Sequence, residues 1–350
     1  MKYVGVDLHK ERSWFYVSDE RGKRLDSQSI ANSPDILRGY FKKIPRPFQI
    51  AVETTYNWYY FVDLAEKYAD KVYLANSYEL KAFAKRNKKT DKIDARLIAD
   101  ILRKGFLPTV TIPDRQTRAI KELLHCRMNI TGERSRNIAR LKSLLDRHGQ
   151  LATGDFTSLK QLNAIPVDKL SDPCRIAATN LTEQITDSLE REYRIGRQIL
   201  KIAESDEDAR NLRSIPGIGS FGSLLIKSEI GDITRFASFN RFCAYAGLAP
   251  RTFQSADKEY HGPLNKNRRK HLQWILFESV HHFSKSSAER TAKYESIVKR
   301  KSPNVARVVL ARDLLKIVYK VLKEKRPYFK IMPANIPGTR TMASLALERV

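Results

Sequence analysis

At 350 residues the chain has room for two or three domains and a substantial core, and nothing in its composition suggests disorder. Its 64 Lys and Arg against 39 Asp and Glu leave a formal charge of +25, which points to a nucleic-acid partner. Three cysteines, odd in number, far apart and without metal-ligand spacing, exclude a disulfide scaffold and read as reduced core thiols.

No apolar run reaches membrane-spanning length, and the chain opens directly into a strand without a signal segment, so no membrane partner and a cytoplasmic location are expected. The charge is localised. Residues 81–150 carry 18 basic and 7 acidic side chains, and residues 256–330 carry 19 and 7. Two basic faces that handle phosphate backbone are therefore expected, with an affinity that falls steeply with salt. An anionic membrane surface is the competing partner, but the basic helices have full buried stripes and no aromatic-rich insertion face.

In chain order, residues 2–8 (KYVGVDL) form a short β-rich run with Val4 and Val6 on one face and Asp7 on the face of Tyr3 and Gly5. A carboxylate there is costly unless it is exposed or binds something. Residues 13–18, a turn at 19–22 and residues 24–30 complete an antiparallel three-stranded meander. Ser33-Pro34 then opens a helix to about residue 43. Residues 48–54 (FQIAVET) read as a buried strand ending in an acid, Glu53, followed by a helix over 58–68 and a strand over 71–75.

After a lysine-rich loop, Thr90-Asp91-Lys92-Ile93-Asp94-Ala95 opens a further helix whose stripe is Leu97, Ile98, Ile101 and Leu102. Asp91 and Asp94 are three residues apart and share a face. Taken alone they fit a helix cap and its dipole equally well. However, three antiparallel strands, then helix, strand, helix, strand and a terminal helix is the order of a ribonuclease-H-like domain. In that architecture Asp7, Glu53, Asp91 and Asp94 converge. Four carboxylates in one place cannot all stay ionised without cations, and paired Mg²⁺ or Mn²⁺ ions are the physical resolution.

From about 116 to 148 the pattern becomes a long helix, with Ile120, Leu123, Leu124, Met128, Ile138, Leu141, Leu144 and Leu145 in its stripe. A second runs from about 174 to 205 through Leu181, Ile185, Leu189, Ile195, Ile199 and Ile202. Together they suggest an antiparallel hairpin or coiled-coil arm that could dimerise and touch nucleic acid, or else an ordinary bundle connector. Ser214-Ile215-Pro216-Gly217-Ile218-Gly219 lies between helical runs, and Gly217 and Gly219 would let backbone N–H groups approach a phosphate as in a helix-hairpin-helix element. A plain helix–helix turn is the alternative.

Beyond it comes a polar loop containing Ser255, set beside the run Lys266, Arg268, Arg269 and Lys270. Its residues alone do not single the serine out. With Lys88, Lys89 and Arg96 of the first basic block, that run supplies the candidate contacts to nucleic acid. The C-terminal helices, about 288–301 and 303–325, pair an apolar face through Val305, Val308, Val309, Leu314, Leu315, Val318 and Leu322 with a basic one.

The strand GVDLHK, the AVET strand, the TDKIDA helix, the IPGIG turn, and IGDITRF followed by FCAYAGLAPR resemble, in order and over nearly the whole chain, the DEDD transposases of bacterial insertion sequences, the insertion sequence 110 family. The resemblance implies a RuvC-like (RNase H-like) domain over 1–112 with Asp7, Glu53, Asp91 and Asp94 as metal ligands. It further implies a helical coiled-coil arm over 113–207, a mainly helical C-terminal transposase domain over 208–335, and a tail over 336–350. Ser255 would be the serine nucleophile, acting with carboxylates from another subunit in a composite site. Implied partners are donor and target DNA, an element-encoded guide (bridge) RNA, and further copies of the chain in a dimer-to-tetramer assembly. Downstream of the serine the chain departs from the family pattern. A Ser-Gly pair is usual, whereas Ser255 precedes Ala256, and of the later pattern only Gly262 and Lys266 remain. A hydrolytic nuclease of Holliday-junction type, with a C-terminal domain that only binds DNA, is the alternative function.

Overall fold

The computed structural model describes residues 1–83, 90–150, 154–165, 167–255, 258–264 and 268–331. It divides into two compact units, Met1–Pro113 and Asp114–Val350.

The first unit is a mixed α/β domain. Its strands are β1 (Lys2–Asp7), β2 (Arg12–Ser18), β3 (Arg24–Ala31), β4 (Phe48–Glu53), β5 (Lys71–Ala75) and β6 (Thr109–Val110). They form one sheet in the order β3-β2-β1-β4-β5-β6, compatible with an RNase H-like domain. The expected meander is present, with β1–β2 and β2–β3 antiparallel, while β1–β4 and β4–β5 are parallel. The short β6, which hydropathy does not reveal, closes the edge antiparallel to β5.

Alternation along the strands assigns the two faces of the sheet. Val4 and Val6 of β1 and Phe48, Ile50 and Val52 of β4 pack with α1 (Pro34–Lys43) and α2 (Trp58–Ala65) in a core that includes Phe15, Leu37, Phe41 and Phe61. On the opposite face, after the single turn α3 (Ser77–Leu80), lies α4 (Asp91–Arg103), whose Ile98, Ile101 and Leu102 pack with Ala51 and Ala75. That contact is unusually close. A Cβ on Gly5 would lie 2.1 Å from the Ala95 carbonyl oxygen and 2.5 Å from the Ala99 nitrogen, so only glycine lets the helix backbone rest on β1.

The second unit is mostly helical. Its long helices α5 (Arg115–Arg147) and α7 (Asp172–Ser205) flank the short α6 (Leu159–Asn163) and run antiparallel, as the pairs Arg134–Glu192 (2.8 Å) and Asn137–Gln184 (3.0 Å) require. Both begin slightly earlier than hydropathy suggests, because polar residues set the ends: the Asp114 carboxylate accepts from the Thr117 N–H, and Pro173 occupies the first turn of α7. At one end of the pair, Leu141, Leu145 and Ile185 close over Phe156 and Leu162. At the other, Leu124, Ile199 and Ala203 join a larger core.

That core is built from α8 (Glu207–Arg213), α9 (Ser220–Ile230), α10 (Phe239–Tyr245), α11 (Lys270–Ser284), α12 (Ala288–Arg300) and α13 (Pro303–Glu324), with α14 (Tyr328–Ile331) following. Within α13 the buried face is Ala306, Leu310, Leu314, Leu315, Val318 and Val321, and Val305, expected on it, is exposed. The strands β7 (Pro250–Ser255) and β8 (Lys258–Leu264) pair as an antiparallel hairpin between α10 and α11. The thiols also differ from expectation: Cys243 is buried, but Cys126 is exposed and Cys174 half-buried, each on a long helix with a solvated face. No helix among the described residues is long and apolar enough to cross a membrane.

The two environments of glycine in the first unit, at Gly5 and Gly39, separate in a stability measurement. Gly5→Ala is expected to lower the unfolding free energy by at least about 3 kcal/mol, at the upper end of core overpacking. Gly39→Ala, on α1 with nothing within 4 Å of a built Cβ, is expected to raise it by about 0.5–1 kcal/mol through helix propensity. Denaturant midpoints check both, and a neutral Gly5→Ala would show that α4 does not rest on β1.

Candidate active site

Asp7 is the last residue of β1 and shares the face of Tyr3 and Gly5, the face that α4 covers. Glu53 ends β4, has the parity of Ala51, and lies one step beyond the parallel pairing of Val6 with Val52. The two strand ends therefore deliver their acids side by side. On α4, Thr90 is the N-cap and its hydroxyl accepts from the Ile93 N–H at 3.4 Å, with Asp91 and Asp94 following in the first turn. Because Ala95 and Ala99 sit on Gly5, the preceding turn of α4 falls beside the end of β1.

The electrostatics show the same convergence. Asp7 is buried, at 6% exposure, whereas Asp91 is exposed and Glu53 and Asp94 are half-buried. Burial pushes the Asp7 carboxyl up to about 6; Asp91, Asp94 and Glu53 add to the rise, and His9 opposes it. His9 bridges two of the acids, its Nε2 lying 3.2 Å from Asp7 Oδ2 and 3.5 Å from Asp91 Oδ1. His9 stands two residues after Asp7 in the GVDLHK segment, and only the fold brings Asp91 beside it. One ligand atom from each of Asp7, His9 and Asp91 fits within 4.8 Å of the others.

Ser255 belongs to the other compact unit. It closes β7 and pairs in register with Lys258 of β8, so the segment expected as a polar loop is a hairpin. The β-prone residues Thr252, Phe253 and Tyr260 within it account for the difference.

Two family models match this chain. One, described as a transposase and built on the DEDD type of IS110 elements, covers residues 4–149, and the other, described as "Transposase IS116/IS110/IS902 family", covers residues 209–295. The chain belongs to the IS110 family of transposases. It is 23% identical over 337 residues to the transposase for insertion sequence element IS1111A of Coxiella burnetii, covering 94% of this chain and 91% of that one. It is 22% identical over 332 residues to the transposase for IS1328 of Yersinia enterocolitica, covering 93% and 98%. A pilin gene-inverting protein of Moraxella bovis is 29% identical over 142 residues, 40% of this chain and 44% of that one.

As a transposase the chain is a DNA-recombining enzyme, and its acidic cluster suits a divalent cation. Oxygen donors are the ligands that hard divalent ions take, and the repulsion that Asp91, Asp94 and Glu53 add to the burial of Asp7 is relieved by positive charge placed among the carboxylates.

The remaining candidates are dispersed. Lys88, Lys89 and Lys266 lie outside the described residues. Arg96 is exposed on α4, 3.5 Å from Asp100. Gly217 has φ +86°, and its Cβ space is filled by the Ser279 carbonyl of α11 at 2.6 Å, so that glycine serves the packing of the turn. At Gly219, the N-cap of α9, the equivalent space is open. Arg268 packs its stem on Gly247, Arg269 lies 5.1 Å from the Tyr245 ring centre, and Lys270 starts α11, exposed.

The Asp7 shift fixes a pH dependence. Its ordinary carboxyl value is 3.8 and its folded value about 6, so between them the folded protein keeps a proton that the unfolded chain has lost. Stability of the cation-free protein therefore falls as pH rises through that window, and the cost is complete above it. In chelator at pH 8, Asp7→Asn is expected to be more stable than wild type by on the order of 2 kcal/mol, with the gain shrinking towards pH 4. Urea unfolding at the two pH values checks this, and a gain independent of pH contradicts the crowding.

Proposed function

We propose that this transposase cuts and rejoins donor and target DNA by combining metal-bound carboxylates with a serine nucleophile, guided by an element-encoded RNA. The observation that carries the first half is the crowding of Glu53, Asp91 and Asp94 about the buried Asp7. These four would hold Mg²⁺, or Mn²⁺, in residues 1–112. When bound, such ions stabilise the developing charge on both the attacking and the leaving oxygen of a phosphodiester.

The protein's own residues do the rest. Thr90 and the Gly5 contact fix the first turn of α4, so Asp91 and Asp94 are positioned before any ligand arrives. His9, within 3.5 Å of Asp7 and Asp91, orients both carboxylates. Ser255, at the end of β7, supplies its hydroxyl oxygen to phosphorus as the bond to a deoxyribose oxygen breaks. The serine proton is given up and the departing oxygen gains one. A phosphoserine link results, and an incoming DNA hydroxyl reverses the step at the new partner strand. The bond energy is conserved in that link, so joining needs no nucleotide triphosphate.

The serine role rests on the family resemblance and on the match of residues 209–295 to the family's second model. A relative named for inverting a gene supports joining as well as cutting, because an inversion needs both. The two basic blocks suit backbone contacts to DNA and RNA, with base pairing carrying the choice of target. The α5–α7 arm, rich in arginine, would bring copies of the chain together as dimers and tetramers, so that carboxylates and serine come from different subunits.

The test uses donor and target DNA with the cognate RNA and Mg²⁺. Wild type is expected to give recombinant product and a protein–DNA adduct that survives denaturant. Ser255→Ala should lose both, and Asp7→Ala should lose strand exchange. Recombination by Ser255→Ala would remove the serine from the mechanism, and a wild type that cuts without ever joining would establish a hydrolytic nuclease instead.

A further inference from the structure

Far along the chain from the acidic cluster, α5, α9 and α11 of the helical unit each turn one polar side chain to a common point: His125, Glu229 and His271. His125 Nε2 lies 3.2 Å from His271 Nδ1, His271 Nδ1 lies 3.9 Å from Glu229 Oε1, and one ligand atom from each fits within 4.8 Å of the others. Glu229 is buried, at 8% exposure, inside a helix that is buried on most sides. A carboxylate so placed needs compensation.

We infer that His125, Glu229 and His271 form a second metal site, for a divalent transition-metal cation of the Zn²⁺ class, which ties α5 to α9 and α11.

Two imidazoles and one carboxylate are the donor set such ions prefer, whereas Mg²⁺ selects oxygen alone. The separations fit as well. Ligands about 2.0–2.1 Å from a tetrahedral ion stand about 3.3 Å apart, close to the 3.2 Å between the imidazole nitrogens. Closing the 3.9 Å gap to Glu229 takes a side-chain adjustment of about 0.6 Å.

Without the ion, Lys121 neutralises Glu229 from 3.2 Å. Cation and ammonium therefore compete for one carboxylate. When the ion binds, Lys121 is released towards solvent. The site's position gives it a purpose: α11 begins at Lys270, soon after β8 ends at Leu264, so an ion held by His271 braces the base of the β7–β8 hairpin against the long helix α5.

The test uses Co²⁺ as a visible substitute for Zn²⁺ on the full-length chain carrying Asp7→Asn and Asp91→Asn, which disable the acidic cluster. The expected result is one Co²⁺ per chain with visible d–d absorption, displaced by equimolar Zn²⁺, and loss of those bands in His125→Gln and in His271→Gln. Lys121→Met, which removes the competing cation, is expected to shift the binding midpoint to lower Co²⁺. That opposite sign separates ligand loss from unfolding, because a damaged fold can only weaken binding. Absence of the bands in the parent protein, or their persistence in both histidine variants, would overturn the assignment.

Discussion

The contact between Gly5 and the backbone of α4 is the constraint from which the acidic site follows. A helix normally stands off a sheet by the length of its side chains, but here the Ala95 carbonyl and the Ala99 amide come within 2.5 Å of where a Cβ on β1 would be. Alanine at positions 95 and 99 keeps the helix side equally slim, and both are fully buried. The docking sets the register of α4 along β1 and lays its first turn beside the end of that strand. Asp91 and Asp94 then reach Asp7 without any long or flexible side chain. Carboxylates on such short stems, held by main-chain packing, are preorganised to a degree that longer side chains on loops are not.

That arrangement carries an electrostatic cost. Burial raises the Asp7 carboxyl to about 6, and the neighbouring Asp91, Asp94 and Glu53 add to the rise, so the ionised state is destabilised. The same field gives a divalent cation its affinity, since the ion removes a repulsion that the fold already sustains. His9 offsets part of the cost from the exposed side, and Thr90 leaves the helix end capped, so the acids need not serve the dipole. The helical unit solves an analogous problem differently. Its buried Glu229 is matched by Lys121 and flanked by two imidazoles, again with polar groups from three separate helices meeting at one point.

Much of this was legible in the residues because it is periodic. Alternation in KYVGVDL placed Asp7 on the face of Gly5, and that parity is the one that faces α4. Three- and four-residue spacing marked both long helices, and the spacing of Asp91 and Asp94 put them on one face. What escaped the sequence depends on contacts between distant segments. The packing demand on Gly217 is set by α11, more than sixty residues later in the chain, whose Ser279 carbonyl fills its Cβ space. His9 is meaningful only once Asp91 is beside it, and the pairing of His125 with His271 spans 146 residues. The hairpin of Ser255 was read as a loop because its polar composition hides a two-strand pairing that rests on backbone bonds. Val305 and Cys126 show a smaller error of the same kind, an apolar residue placed inside by composition when helix rotation puts it outside.

In the proposed function Asp91 and Asp94 complete a cation site with Asp7 and Glu53, and do not merely begin a helix. Calorimetric titration of the full-length protein with Mg²⁺, an ion that imidazoles do not retain, addresses it directly by comparing wild type with the Asp91→Asn, Asp94→Asn double variant. Saturable binding is expected in the wild type and its loss in the double variant, with the helix intact because Thr90 still caps it. Binding of equal affinity in both proteins would contradict it and return the two acids to the role of a helix terminus.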